Sequence, residues 1–139
     1  MGKKRIVKKG GDTSGSGAAA SSRASKRRLD VGTLLHDVTR RLAEELAIDR
    51  CALVLLDEER GLGHIVAASD DRALKDVQIE LALYPEIREA MRTGEPVVVD
   101  DVASHPLLGE VAKVVTRRGI RALAGVPLTV QGKTLGVLL

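Results

Sequence analysis

The sequence predicts an α+β fold. Three observations carry that reading. A long amphipathic helical stripe stands near the start, a pair of apolar segments in hairpin order follows it, and a second pair joined by a tight turn closes the chain. Short helical segments lie between the two pairs.

At 139 residues the chain holds one domain and a tail. Its 44% apolar content is that of a globular protein, but there is no Phe, no Trp and a single Tyr, Tyr84. The core must therefore be aliphatic, and only Tyr84 offers a face for stacking a planar ligand. The single cysteine, Cys51, excludes an intrachain disulfide and a multi-cysteine metal site. That usage fits a reducing cytoplasm, the expected location. No apolar run approaches the roughly 20 residues that span a bilayer.

Residues 1–28 carry nine Lys or Arg against one Asp, whereas residues 29–139 carry 13 basic and 18 acidic residues. The tail is Gly, Ser, Ala and Lys/Arg, too poor in apolar surface to offset its ordering entropy, and is expected to be disordered. It reads as a solubilising extension or linker. The alternative is a polybasic arm for nucleic acid or anionic membrane, which lacks the aromatic or amphipathic pattern that usually accompanies such arms. The acidic remainder has no charge-based reason to bind nucleic acid.

The first helix is expected from Leu29 to Ala47, with Asp30 as N-cap or first-turn acid. Val31, Leu34, Leu35, Val38, Leu42 and Leu46 recur at spacings of three and four. The stripe suits docking on the sheet and equally a short two-helix seam. Cys51 to Leu56 is a continuous apolar run, the mark of a central strand buried on both faces. Asp57 to Gly61 turns the chain, and Leu62 to Ser69 returns it. Asp70 to Leu83 reads as a polar, mobile, weakly helical loop. Pro85 opens a short helix that Gly94 ends. Val97 to Val99 is a strand, and Asp100 to Pro106 a turn-rich crossing. Leu107 to Arg118 reads as a helix stopped by Gly119. Ile120 to Val130 is a strand with Ala122, Ala124, Val126, Leu128 and Val130 on one face. Thr134 to Leu139 is the last strand.

This order, with Glu95-Pro96-Val97-Val98-Val99-Asp100-Asp101-Val102, Gly125-Val126-Pro127-Leu128 and Gly132-Lys133-Thr134-Leu135-Gly136-Val137, resembles the GAF family across about residues 30–139. GAF domains are sensor modules of signalling proteins. The resemblance implies a GAF-like, PAS-related antiparallel sheet of five to six strands with helices on both faces. It implies a regulatory role, not catalysis. A GAF domain normally completes its last strand and adds a C-terminal helix beside the first. Against that pattern, the domain at 29–139 is expected to be truncated in or just after its last strand.

The resemblance also excludes. The Asn-Lys-Xaa-Asp-Glu pattern of cyclic-nucleotide GAF domains is not found. One cysteine cannot supply the three-cysteine set of GAF-type methionine sulfoxide reductases, and Cys51 does not fall where bilin-attaching GAF domains carry theirs. His36, His64 and His105, the only imidazoles, lie on a helix, a strand and a loop with no evident convergence on a metal. His36 is expected at a solvated helix position, and Cys51 as a buried structural thiol. Adjacent Asp100 and Asp101 point to opposite faces and are unsuited to an acid/base dyad. Asp101 is expected to cap its turn. Arg117-Arg118 at a helix end offset the dipole or, alternatively, clamp an anion at a pocket mouth.

No nucleophile–base or metal set can be assembled, so an enzyme is not expected. The resemblance implies a small molecule or partner biasing the loops Asp70–Leu83 and Asp100–Arg118, the shift passing to the terminal helices of a homodimer. By resemblance the pocket candidates are His64, Tyr84, Asp100, His105 and Val115. The dimer and relay residues are Val31, Leu35, Val38 and Leu42. A downstream output domain or partner protein follows from the same reading, while the ligand or cofactor is left unnamed. The alternative is a ligand-free interaction scaffold tethered by its basic tail.

Overall fold

A computed structural model describes residues 30–74 and 76–139. The expectations for residues 1–28 and for Leu29 fall outside these. Helix α1 spans Val31–Leu46. Strands β1 (Ala52–Asp57), β2 (Leu62–Ala68) and β3 (Val77–Glu80) follow, then helix α2 (Pro85–Thr93) and β4 (Val97–Val99). Helix α3 (Ala112–Arg117), β5 (Leu123–Val130) and β6 (Lys133–Leu138) complete the order. The six strands form one sheet in the order β3-β2-β1-β6-β5-β4, every neighbour antiparallel.

Local chemistry sets the boundaries. Asp30, in extended conformation, accepts from the Gly32 and Thr33 amides at 3.0 and 3.4 Å and caps α1, as expected of an N-cap carboxylate. Pro85 opens α2, and Gly94 at φ 70° closes it. Gln131 and Gly132, at φ 50° and 80°, form the two-residue turn between β5 and β6, with both central residues at positive φ.

Register sorts the sheet residues into two faces. One row runs Val77, Ile65, Val54, Val137 and Pro127 across β3, β2, β1, β6 and β5. It underlies the main core, where Val54, Ile65, Val77 and Val137 pack with Leu81, Tyr84, Ile87 and Ala90. A second cluster joins Val99 and Val102 to Leu108, Ala112 and Val115 beneath α3. The neighbouring row, Gln78, His64, Leu55, Gly136 and Leu128, lies on the opposite face. Helix α1 packs mainly on β2, with lesser contact to β1, whereas α2 packs on β5, β6 and β4.

Several expectations are corrected. The segment Asp70–Leu83 contains β3 and a short 3-10 turn, Leu81–Leu83. Val77 and Ile79 point inward and Gln78 and Glu80 outward, a two-residue alternation hidden within a polar stretch. The helix expected from Leu107 is cut to Ala112–Arg117, because Gly109 at φ 46° leads into a 3-10 turn at Gly109–Val111. On β5 the face shared by Ala124, Val126 and Leu128 is the exposed one. Gly125 is buried instead, with Leu123 and Pro127 half-buried beside it. A β-carbon on Gly125 would sit 3.7 Å from the Glu86 carbonyl, so the backbone of α2 approaches β5 at its smallest residue. Strand β1 is central but not buried on both faces, since Leu55 is 44% exposed.

Helix α1 likewise docks through a ridge other than its apolar stripe. It docks through His36, Thr39 and Ala43, which are its buried residues. His36 is therefore not solvated. Its ring Nδ1 lies 3.0 Å from the Ala68 carbonyl oxygen, which can only accept, so Nδ1 carries the proton and donates. The predicted stripe is turned roughly 100° away from that ridge. Val31, Val38 and Leu46 remain 63%, 45% and 59% exposed, and Leu35 and Leu42 are half-buried.

Candidate functional site

Of the two segments expected to carry function, Asp100–Arg118 follows the end of β4, whereas Asp70–Leu83 contains β3 at the opposite edge of the sheet. After β4, Asp101 organises the crossing. Its carboxylate accepts from the Ala103 amide at 3.1 Å and from the Ser104 hydroxyl at 3.0 Å, while its carbonyl accepts from the His105 amide at 3.1 Å. His105 Nδ1 in turn accepts from the Leu107 amide at 3.1 Å. This interlocked turn gives His105 a structural task. Asp100 projects, exposed, from the end of β4.

The five pocket candidates do not converge. Tyr84, 2% exposed, belongs to the main core, and Val115, 0% exposed, to the second cluster. His64 lies on the opposite face of the sheet, with Nδ1 2.9 Å from an Asp76 carboxylate oxygen. Tyr84 and Val115 are thus packed among aliphatic side chains in two separate clusters.

Two open clefts are lined by other residues. One, of about 330 Å³, is bounded by Ala103, Ala112, Lys113, Thr116 and Arg117. It thus includes one of the two arginines singled out as an anion clamp, while Arg118 ends the helix as its C-cap. The other, of about 470 Å³, lies between the β1–β2 turn, the 3-10 turn and α2. Its lining is Glu58, Gly61, Leu81, Ala82, Arg88, Met91 and Arg92. Sequence reasoning missed these residues. The available signal was the four-residue spacing of Arg88 and Arg92, which places both on one side of α2, away from the buried Ile87 and Ala90.

The remaining reactive groups are held in structural roles. Burial pushes the Cys51 thiol up, with Arg50 pulling the other way. Its amide donates to the Ser69 hydroxyl at 2.9 Å. Arg50 is occupied by both oxygens of Asp70 at 2.9 and 3.0 Å. Among the described residues no three His, Cys, Asp or Glu side chains gather as a metal set, and no helix is long and apolar enough to cross a membrane.

A six-stranded antiparallel sheet with a long N-terminal helix on one face and α2 on the other defines an α+β domain of the sensor-module type. The family model of the GAF domain matches residues 30–139, and the chain belongs to that family, the regulatory sensor modules of signalling proteins. Solved structures agree in fold. The GAF domain of a Coxiella burnetii phosphoenolpyruvate-protein phosphotransferase is 20% identical with a TM-score of 0.61, covering 86% of this chain and 71% of that one. A phycocyanobilin-bound GAF domain from a cyanobacterial phytochrome is 18% identical with a TM-score of 0.62, over 86% and 74%. The free methionine-R-sulfoxide reductase of Neisseria meningitidis, solved with its substrate, is 22% identical with a TM-score of 0.59, over 84% and 65%. No curated protein sequence matches the chain.

Proposed function

We propose that this chain is the dimerising, small-molecule-sensing GAF module of a cytoplasmic, bacterial-type signalling protein, acting by regulation and not by catalysis. The observation that carries the reading is the exposed apolar stripe of α1. Val31, Leu34, Val38 and Leu46 are exposed because the helix docks through other residues. The sheet adds Leu55, Val126 and Leu128, each more than a third exposed. A contiguous apolar helix face of this kind suits a second copy of the same helix. A ligand biases the loops near the clefts, and the sheet passes the change to α1 of the dimer and on to an output domain.

A second reading, a ligand-free dimerisation scaffold, is favoured by the packing of Tyr84 and Val115 into filled cores. Native mass spectrometry on the purified chain separates the two. A dimer carrying added small-molecule mass is the expected result. A dimer of bare protein mass supports the scaffold, and a bare monomer removes the relay.

A further inference from the structure

We propose that the cleft between the β1–β2 turn and α2 binds a free α-amino acid with an aliphatic side chain. This rests on the reading of the domain as a small-molecule sensor and names the ligand class. The charges around the cleft carry it. In the turn, Asp57 engages Arg60 at 3.8 Å, which leaves Glu58 as the acid on the cleft wall. On α2, Arg92 is held by both oxygens of Glu89 at 2.6 and 3.1 Å, which leaves Arg88 as the uncompensated base. Glu58 and Arg88 make no ion pair or hydrogen bond among the described residues, so they stand farther apart than the 4.0 Å of a salt bridge while bounding the same space.

A ligand with one charge meets attraction at one wall and repulsion at the other. A zwitterion satisfies both, its carboxylate on the Arg88 guanidinium and its ammonium on Glu58. The same cleft is lined by Leu81, Ala82 and Met91, apolar surface for an aliphatic side chain, with Met91 able to adapt to its shape. The volume of about 470 Å³ falls at the lower end of the roughly 300–1,000 Å³ that small-molecule sites span. The lining has no aromatic residue, which disfavours planar ligands.

The test is calorimetric titration of the full 139-residue chain with L-leucine. The controls are 4-methylpentanoate, which lacks the ammonium, 3-methylbutylamine, which lacks the carboxylate, and glycine, which lacks the side chain. Saturable leucine binding is expected, with each control weaker by roughly tenfold or more. Arg88→Gln and Glu58→Gln, both at exposed positions, should each weaken leucine by about tenfold while leaving the melting temperature unchanged. Absence of saturable leucine binding up to about 10 mM, or leucine binding unaltered in Arg88→Gln, overturns the proposal. Sedimentation of the same samples scores the dimer separately. A monomer that binds leucine keeps this site and loses the relay, and a dimer indifferent to leucine does the reverse.

Discussion

Gly136 on β6 lies so close to Val54 on β1 that a β-carbon at position 136 would stand 2.6 Å from the Val54 carbonyl oxygen. The obstacle is backbone in the middle of the sheet, where β1 and β6 pair, and neither strand can give way without disturbing the Val54–Val137 register behind it. Gly136→Ala should therefore destabilise the fold by about 2–4 kcal/mol in urea titration. A loss below about 0.5 kcal/mol would mean that the strands separate freely at this point.

His36 ties α1 to the sheet through the Ala68 carbonyl, and Thr39 returns its hydroxyl to the His36 carbonyl at 2.9 Å. Removing the ring takes away a buried donor and leaves a cavity under the helix. His36→Ala should cost about 2–3 kcal/mol, and His36→Asn, which restores a donor of smaller reach, should recover part of it. Equal losses in the two variants would assign the effect to volume alone.

Sequence and structure part at the faces of α1 and β5 and at the candidate site. The N-cap at Asp30, the turn at Gln131-Gly132, the helix at Pro85 and every strand except β3 were legible because each rests on local chemistry. The faces of α1 and β5 were not. Apolar periodicity grouped Val31 with Val38, and Val126 with Leu128, without saying which face docks, and the docked ridges are His36, Thr39 and Ala43 on α1 and Gly125 on β5. Close approach of two backbones selects small residues, and hydropathy does not report that. The candidate site followed suit. Tyr84 and Val115 carry the bulk expected of a pocket wall, and in an aliphatic protein that bulk is needed by the core. The clefts are lined by charged side chains whose pairing depends on neighbours such as Glu89, which only the fold reveals.

Cys51, 1% exposed, should be inert in the folded protein. Its labelling by a thiol reagent at neutral pH should be slower than in urea by roughly a hundredfold or more. The raised thiol also has a sign in pH. The native state holds this proton to a higher pH than the unfolded chain does, so its contribution is complete below the ordinary thiol value and lost as pH rises through the raised one. Cys51→Ala should thus show a shallower decline of stability on the alkaline side and no change in slope near neutrality. An unchanged alkaline slope would place the titrating group elsewhere.

The α1 stripe separates folding from association, because the residues that dock the helix are not those that lie exposed. Val38, 45% exposed, can take a charge with little effect on the monomer, whereas a charge at Ala43, 8% exposed, is forced against the sheet. In the proposed dimer two Val38 side chains lie near the seam, and a carboxylate there sets like charges against each other in an apolar contact. Val38→Glu should leave the urea midpoint within about 0.5 kcal/mol of wild type and convert the dimer to monomer in sedimentation velocity at micromolar concentration. Ala43→Glu should instead unfold the domain or lower its stability by about 3 kcal/mol or more. If Val38→Glu remains a dimer at the same concentration, association runs through another surface. The exposed Leu55, Val126 and Leu128 of the sheet would then be the next positions to charge.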